Sequence, residues 1–203
     1  MYSDENSGAQ DDGCSLSGVN TARPVNKGIM KKYNIIYADP PWRFKVWCRD
    51  TGLGRSADAH YRTMTLDEIK AYPVAAANDC ALFLWATRPM ICEALEVMDA
   101  WGFEYKTEAF TWVKTTKTGK WHFGMGYWTR ANTEPVLLGV RGNIHRVARN
   151  VPQLLVAPVR EHSRKPDEIR ERIVRLMGDL PRIELFARER HEGWDAEGDE
   201  LVG

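Results

Sequence analysis

The amino-acid sequence predicts an α/β fold of the doubly wound kind, with a mostly parallel sheet and helices on both faces. From Tyr33 onward, short β-rich runs alternate with segments of helical periodicity. This alternation requires crossover connections between parallel strands. A length of 203 residues suits a single well-buried domain. We therefore expect a disordered tail over residues 1–28, which are rich in Ser, Asp, Asn and Gly, and one domain over residues 29–203.

The predicted strands are short runs rich in apolar, β-branched and aromatic residues. They cover residues 33–38, 80–85, 103–114, 136–140, 154–159 and 182–187. Two prolines, Pro40 and Pro41, follow the first strand. They end it sharply, because proline has no N–H to donate to a sheet ladder.

Three helices are predicted between the strands, over residues 65–77, 89–101 and 166–177. Thr65 and Glu68 form a capping box, in which each side chain accepts a backbone N–H that a helix start leaves unpaired. Gly102 and Gly178 end the second and third helices. The third helix places four apolar residues on one face, Ile169, Ile173, Leu176 and Met177.

Composition indicates a folded globular protein and argues against several other classes. The chain is 43% hydrophobic and 28% charged, which is ordinary for a globular domain. Its four cysteines show neither a Cys-x-x-Cys pair nor histidines at metal-ligand spacing, so we expect reduced thiols and no metal. No charged-then-apolar leader opens the chain, and no apolar run approaches the roughly 20 residues of a membrane span. The expected location is the cytoplasm, with no membrane contact.

A formal net charge of zero hides an uneven charge distribution. Residues 114–165 contain ten Lys or Arg but only two acids, Glu134 and Glu161, which is a net charge of +8. This stretch is either an ordinary solvated face or a surface that contacts phosphates. We expect sequence recognition, if any, from the 121–128 loop and from residues 141–149.

The most specific motif is Asp39-Pro40-Pro41-Trp42, directly after the first predicted strand. In doubly wound sheets, ligands bind beyond the carboxyl ends of the strands. An aryl amine such as N6 of adenine is a poor nucleophile, because its lone pair is delocalised into the ring. Asp39 and the Pro40 carbonyl could accept its two hydrogens and favour the pyramidal, nucleophilic form. The fixed φ of the prolines would hold that carbonyl in place.

An adenine in a duplex must be flipped out of the base stack before an enzyme can reach its amine. Candidate stacking faces for such a base are Trp42, Tyr61 and Trp85, of which we favour Trp42. A second group of candidates is the helix start at 163–168 and the strand at 183–188. Taken alone, these two segments indicate only a well-formed helix start and a core strand.

A set of eight segments resembles the DPPW-type (METTL-like) adenine-N6 methyltransferase family. In chain order they are YADPPW (37–42), HYRTMT (60–65), FLWAT (83–87), WGFEY (101–105), FTWVK (110–114), LLGVRGN (137–143), HSRKPDEI (162–169) and IELFAR (183–188). The resemblance covers residues 33–200. It implies a Rossmann-like fold that uses S-adenosyl-L-methionine, with the catalytic motif ahead of the main cofactor motif.

The resemblance also implies roles for individual residues. Asp39, Pro40, Pro41 and Trp42 match the catalytic motif, and Tyr61 matches a tyrosine of an active-site loop near the acceptor base. The matches to cofactor-binding positions are Lys165 for the methionine carboxylate, Arg188 beside the ribose, and Asp199 and Glu200 for the ribose and adenine edges. Asp199 stands where the family usually has Asn, although a carboxylate can also accept from ribose hydroxyls. No segment upstream of Asp39 matches the part of longer relatives that holds the cofactor's adenine.

These observations predict methyl transfer from S-adenosyl-L-methionine to adenine N6 in nucleic acid, with DNA favoured over RNA. Three alternatives stay open: an RNA adenine-N6 methyltransferase, a catalytically silent partner subunit that binds nucleic acid, and methylation of another planar nitrogen, such as cytosine N4 or a glutamine amide. The intact Asp39 argues against the silent subunit. A homodimer is also left open.

Overall fold

The computed structural model describes residues 31–43, 63–124, 126–161, 164–199 and 201. In these ranges one sheet has seven strands in the order β5-β3-β4-β2-β1-β6-β7. The strands are β1 (Tyr33–Ala38), β2 (Ala76–Trp85), β3 (Glu104–Thr115), β4 (Thr133–Arg141), β5 (Leu154–Pro158), β6 (Arg182–Leu185) and β7 (Asp195–Glu197). The predicted tail over residues 1–28 lies outside the described residues, so the tail and the domain boundary stay predictions.

Six of these strands run in one direction and β4 alone runs against them. β1 pairs in parallel with β2 and β6, β6 with β7, and β3 with β5. β4 lies antiparallel between β2 and β3. The predicted mostly parallel sheet is therefore confirmed. We call the edge at which the six strands end the carboxyl edge, and the opposite edge, at which β4 ends, the far edge.

Among the described residues, three α-helices cover the two faces of the sheet, as predicted. They are α1 (Leu66–Lys70), α2 (Ile91–Ala100) and α3 (Glu168–Met177). Side chains alternate along a strand, so Ile36 packs with α1 and α2 while Tyr37 packs with α3. The predicted apolar face of α3 is confirmed, because Ile169, Ile173 and Met177 are buried.

The predicted capping box is present at the start of α1. The Thr65 hydroxyl accepts the Glu68 N–H, and the Thr65 N–H donates to the Glu68 carboxylate at 2.7 Å. The predicted extension of this helix to Ala77 was wrong, because α1 ends at Lys70. Pro73 disfavours helical backbone at the residue before it, and Ala76 already pairs with Tyr33 as the start of β2.

The edge strand β7 was not predicted. It is only three residues long, Asp195–Glu197, and two of the three are acidic, so it lacks the apolar alternation by which strands are recognised. These residues form a strand because their backbone pairs in parallel with β6.

The basic stretch at 114–165 is divided between the two edges of the sheet. Lys114 lies at the end of β3, and the β3–β4 loop that follows is at the carboxyl edge. Arg141 ends β4 at the far edge, and Arg146 and Arg149 follow it there. The stretch is therefore two surfaces, of which one adjoins the Asp39 motif.

A buried ion pair joins α3 to β6. Two guanidinium nitrogens of Arg170 donate to the two carboxylate oxygens of Glu184 at 2.7 and 2.8 Å. The side chains are only 10% and 9% exposed. The two hydrogen bonds offset the free-energy cost of burying both charges. Removing either residue would leave the other charge buried without this counter-ion.

Replacing Glu184 by Gln should lower the free energy of unfolding by about 3 kcal/mol, because it leaves Arg170 buried beside Asp167 without its two-point carboxylate partner. Chemical denaturation measures the change. A suitable control is Glu104→Gln, which removes a carboxylate that is 74% exposed and pairs with Lys106. That variant should stay within about 0.5 kcal/mol of wild type. Equal losses in the two variants would contradict this account of the buried pair.

Candidate active site

The Asp39-Pro-Pro-Trp42 motif lies at the carboxyl edge, between two strand neighbours. Ala38, the last residue of β1, is in register with Leu84 of β2 and with Leu185 of β6. The chain therefore leaves β1 in the middle of the sheet, where loops from both sides converge. This is the position at which open α/β sheets bind their ligands.

Backbone hydrogen bonds fix the conformation of this motif. The Trp42 N–H donates to the Pro40 carbonyl at 2.8 Å, which closes a tight turn. The Met64 N–H donates to the Pro41 carbonyl at 3.0 Å. The indole N–H of Trp42 donates to the Trp85 carbonyl at 3.0 Å, and Trp42 is only 4% exposed. The loop is thus tied to β2, and Trp42 is a core residue whose predicted stacking on a base stays a prediction.

The structure brings two of the predicted site residues into direct contact. The Lys165 ammonium donates to the Asp39 carboxylate at 2.7 Å. Lys165 lies three residues before α3, and its side chain is 13% exposed, against 24% for Asp39. The pair is partly screened from water, which strengthens it relative to a surface ion pair.

Glu134, at the start of β4, is a site residue that the motif analysis missed. It accepts from the Lys114 ammonium at 2.7 Å, and its other oxygen lies 3.7 Å from the Lys165 ammonium. Burial alone raises the pKa of Glu134, but Lys165 and Lys114 outweigh burial and hold it below its ordinary value. One feature of the sequence could have identified Glu134: it is one of two acids in a stretch that contains ten cations.

Two tryptophans lie beneath these charges. The Lys165 ammonium is 5.2 Å from the centre of the Trp85 ring, and the Lys114 ammonium is 4.9 Å from that of Trp112. The two indoles meet edge to face, with centres 6.2 Å apart. Trp85 is 1% exposed and donates its indole N–H to the Tyr37 hydroxyl at 2.6 Å. Trp85 therefore packs beneath the Lys165 ammonium, and its ring is too buried for a base to stack on it.

The remaining predicted cofactor residues follow the strands on the other side of β1. Arg188 is half-buried, three residues beyond the end of β6. Asp199 is exposed, two residues beyond the end of β7. Tyr61 and Glu200 lie outside the described residues, so their assignments stay predictions.

The backbone at the end of β6 adopts an unusual conformation. Phe186 has a φ of +59°, in the left-handed region that a bulky residue rarely adopts. A Cβ at Gly198 would lie 2.2 Å from the Ala187 carbonyl oxygen, so only glycine allows the chain after β7 to approach this turn. The close approach brings the segment with Asp199 next to the one with Arg188.

One cluster has the spacing of a metal site but the surroundings of an ion-pair network. Ligand atoms of Asp167, Glu189 and His191 lie within 4.8 Å of one another. Guanidinium groups already neutralise the two carboxylates, with Arg170 donating to Asp167 at 2.8 Å and Arg164 lying 2.7 Å from Glu189. A cation bound there would have to displace these arginines, so the cluster does not support a metal site.

Glu134 should give the protein a stability contribution that depends on pH. A carboxyl whose pKa is lowered on folding stabilises the protein above its unfolded pKa, and that contribution disappears as the pH falls through the folded pKa. The difference in unfolding free energy between wild type and Glu134→Gln should therefore have its full size at pH 7. It should decline as the pH falls below 4.5, the ordinary pKa of a glutamate carboxyl.

Chemical denaturation from pH 7 to pH 3 measures this difference. Glu161→Gln, which changes the other acid of the basic stretch and is exposed, should follow the wild-type curve. A difference between wild type and Glu134→Gln that is the same at every pH would contradict the assigned role of Glu134.

Comparisons with known proteins identify the family of this chain. The MT-A70 family model matches residues 33–200. The Type II methyltransferase M.MunI of Mycoplasma sp is 38% identical over 84% of this chain and 78% of its own length. An N(6)-adenosine-methyltransferase MT-A70-like protein of Arabidopsis thaliana is 32% identical, and the human N(6)-adenosine-methyltransferase catalytic subunit METTL3 is 31% identical. Both matches cover 89% of this chain, which spans only 25% and 30% of those longer proteins.

In the described part of the chain, no helix is long and apolar enough to cross a membrane.

The family model matches most of the chain, and M.MunI is 38% identical over most of its own length. The Asp39 motif lies where open α/β sheets bind their ligands. The chain belongs to the MT-A70 family of methyltransferases.

Proposed function

We propose that this methyltransferase transfers the methyl group of S-adenosyl-L-methionine to N6 of adenine in DNA. The observation that supports this most strongly is Asp39 at the carboxyl end of β1, partly exposed and held by Lys165. The names of the Arabidopsis and human relatives support adenine as the base. The match over 78% of a Type II methyltransferase, against 25–30% of the N(6)-adenosine methyltransferases, supports DNA as the polymer.

The charges at the site suit a zwitterionic cofactor. Two ammonium groups, of Lys114 and Lys165, alternate with the carboxylates of Asp39 and Glu134. The methionine moiety of the cofactor carries a carboxylate, an ammonium and a sulfonium. Each of these groups can lie near an opposite charge at this site. When bound, S-adenosyl-L-methionine supplies an electrophilic methyl group on its sulfonium.

We assign the cofactor contacts to residues on both sides of β1. Lys165 would hold the methionine carboxylate from the α3 side. Arg188 would lie beside the ribose, and Asp199 and Glu200 would contact the ribose and adenine edges. The close approach of the chain at Gly198 to Ala187 supports this division, because it keeps the segments after β6 and β7 together.

Asp39 and the Pro40 carbonyl would accept the two hydrogens of the adenine amine. The Pro40 carbonyl already accepts the Trp42 N–H, but a carbonyl oxygen has a second lone pair that remains available. N6 would gain a bond to the methyl carbon as the carbon–sulfur bond breaks, with that bond's electron pair staying on sulfur as a neutral thioether. N6 would also lose one proton, which Asp39 would accept. The turn at Pro40 holds both acceptors on one rigid loop, which lowers the entropic cost of orienting the amine.

One oxygen of the Asp39 carboxylate accepts from Lys165, and we propose that Lys165 moves to the cofactor carboxylate, which would leave both Asp39 oxygens open to the amine. An ammonium has three N–H donors, so Lys165 can hold a cofactor carboxylate and still face Glu134. Glu134 is therefore proposed as a positioning residue that keeps the lysine over the Trp85 ring during the exchange. Both oxygens of Asp39 would be open to the amine once the cofactor is in place.

Trp42 and Tyr61 are proposed to contact the adenine ring. Because Trp42 is buried and its indole N–H is bonded to the Trp85 carbonyl, it would act as a fixed wall of the base pocket. Tyr61, which follows the motif in the sequence, would be the second residue in contact with the base.

A methylation assay tests the proposed reaction. The protein is incubated with labelled S-adenosyl-L-methionine and duplex DNA, single-stranded DNA or RNA, and the nucleosides are analysed by mass spectrometry. We expect N6-methyladenine, with DNA the better substrate. N4-methylcytosine, a labelled protein, or no product from any of the three polymers would contradict the proposal.

Asp39→Ala should lower the rate of methyl transfer by about 100-fold or more, because it removes a proton acceptor from the reacting amine. Cofactor binding, measured by calorimetry, should largely survive. The matched control is Asp99→Ala, which changes an exposed aspartate on α2 and should keep wild-type activity. Equal loss of cofactor binding and turnover in Asp39→Ala would argue against the acceptor role.

A further inference from the structure

The β3–β4 loop, residues 116–132, presents aromatic side chains to solvent among cations. Four aromatic residues of this loop are well exposed: Trp121 (57%), Phe123 (59%), Tyr127 (46%) and Trp128 (93%). Lys117, Lys120 and Arg130 are exposed between or beside them, and the loop sequence contains no acidic residue. Exposed apolar groups in such density mark a binding surface.

Both ends of this loop enter the site already described. Lys114 precedes the loop, Glu134 follows it, and the two side chains form an ion pair at 2.7 Å. Glu134 in turn faces Lys165, the partner of Asp39. A ligand that rests on the loop therefore lies next to the place where the acceptor amine would be.

Backbone hydrogen bonds hold the loop in a defined conformation. The Thr116 N–H donates to the Lys120 carbonyl at 2.7 Å, and the Gly124 N–H donates to the Ala131 carbonyl at 2.7 Å. Arg130 donates to the Gly124 carbonyl at 2.9 Å. A Cβ at position 126 would lie 2.0 Å from the Thr129 carbonyl oxygen, so the close approach of the chain at these two positions requires Gly126. A preordered loop loses less entropy when it binds a partner.

We propose that the β3–β4 loop is a docking surface on which unpaired bases next to the target adenine stack, while its lysines contact the phosphates. This inference rests on the proposed function and names the surface that receives the substrate strand. The charge identifies the occupant, since a loop with cations and no acids complements a polyanion. Flat aromatic faces stack on any base, with about 1–3 kcal/mol for each base.

The chemistry of the target explains why unpaired bases should be present there. An adenine whose N6 reacts must leave the base stack, and its neighbours then lose a stacking partner. Aromatic side chains beside the site can replace that partner, as inserted side chains do in proteins that unstack DNA. A single strand would offer its bases to the loop without that cost.

The far edge provides matched controls. Tyr105 at the start of β3 is 44% exposed, which is similar to Tyr127. Arg146 and Arg149 are exposed cations of the same basic stretch at that edge. They belong to the 141–149 segment that was expected to take part in recognition, but their place opposite Asp39 argues against that role. They share side-chain type and exposure with the loop residues but lie at the opposite edge from Asp39.

The test compares binding of a fluorescein-labelled single-stranded adenine-containing DNA by four variants and wild type, using anisotropy over a range of salt. The variants are Trp121→Ala/Trp128→Ala, Lys117→Ala/Lys120→Ala, Tyr105→Ala and Arg146→Ala/Arg149→Ala. Thermal unfolding and oligomeric state are measured for each variant. Because the changed side chains are exposed, all variants should fold like wild type.

Loss of the two tryptophans should weaken binding about 10-fold or more and leave the salt dependence unchanged. Loss of the two lysines should reduce the slope of log K against log salt by up to about 1.4, that is 0.7 for each phosphate contact. The far-edge variants should match wild type in affinity and slope.

Single-stranded binding within two-fold of wild type in both loop variants would overturn the inference. So would a change of oligomeric state with unchanged DNA binding, since the loop would then be a protein interface. Wild-type protein that binds DNA through the loop but forms no N6-methyladenine would refute the proposed reaction while leaving the docking surface standing.

Discussion

An ammonium and a carboxylate that are 126 positions apart in the chain meet 2.7 Å from each other at the carboxyl edge of the sheet. The Lys165–Asp39 pair joins the loop after β1 to the segment before α3, and Glu134 extends it to β4 and β3 through Lys114. The four charges sum to zero, lie partly out of water and rest on two buried tryptophans. Removing any one charge leaves a partly buried neighbour uncompensated.

The direction of a single strand arranges this site. Because β4 alone is reversed, its first residues lie where the other strands end, and Glu134 reaches Lys165. The same reversal makes β3 and β4 neighbours joined at the carboxyl edge, so the aromatic loop lies at the same edge as Asp39. It also sends Arg141 to the far edge, which separates two basic surfaces that are continuous in sequence.

Local patterns in the sequence predicted much of the fold. The apolar run of β1, the capping box of α1 and the apolar face of α3 depend on near neighbours, and each was found as expected. The contacts of the site depend on topology instead. Neither the Lys165–Asp39 pair nor the role of Glu134 follows from spacing, because four separate parts of the fold supply the partners. The short strand β7 lacked any apolar signal, and the end of α1 was set by Pro73 and the pairing of Ala76.

We propose that Lys165 holds Asp39 until the cofactor binds and then moves to the cofactor carboxylate, which leaves Asp39 to the adenine amine. A crystal structure of the protein with S-adenosylhomocysteine tests this most directly, through the distance between the Lys165 ammonium and the Asp39 carboxylate. We expect Lys165 to contact the carboxylate of the bound molecule and to have left the Asp39 carboxylate. A complex in which the 2.7 Å pair persists and Lys165 makes no contact with the bound molecule would contradict it.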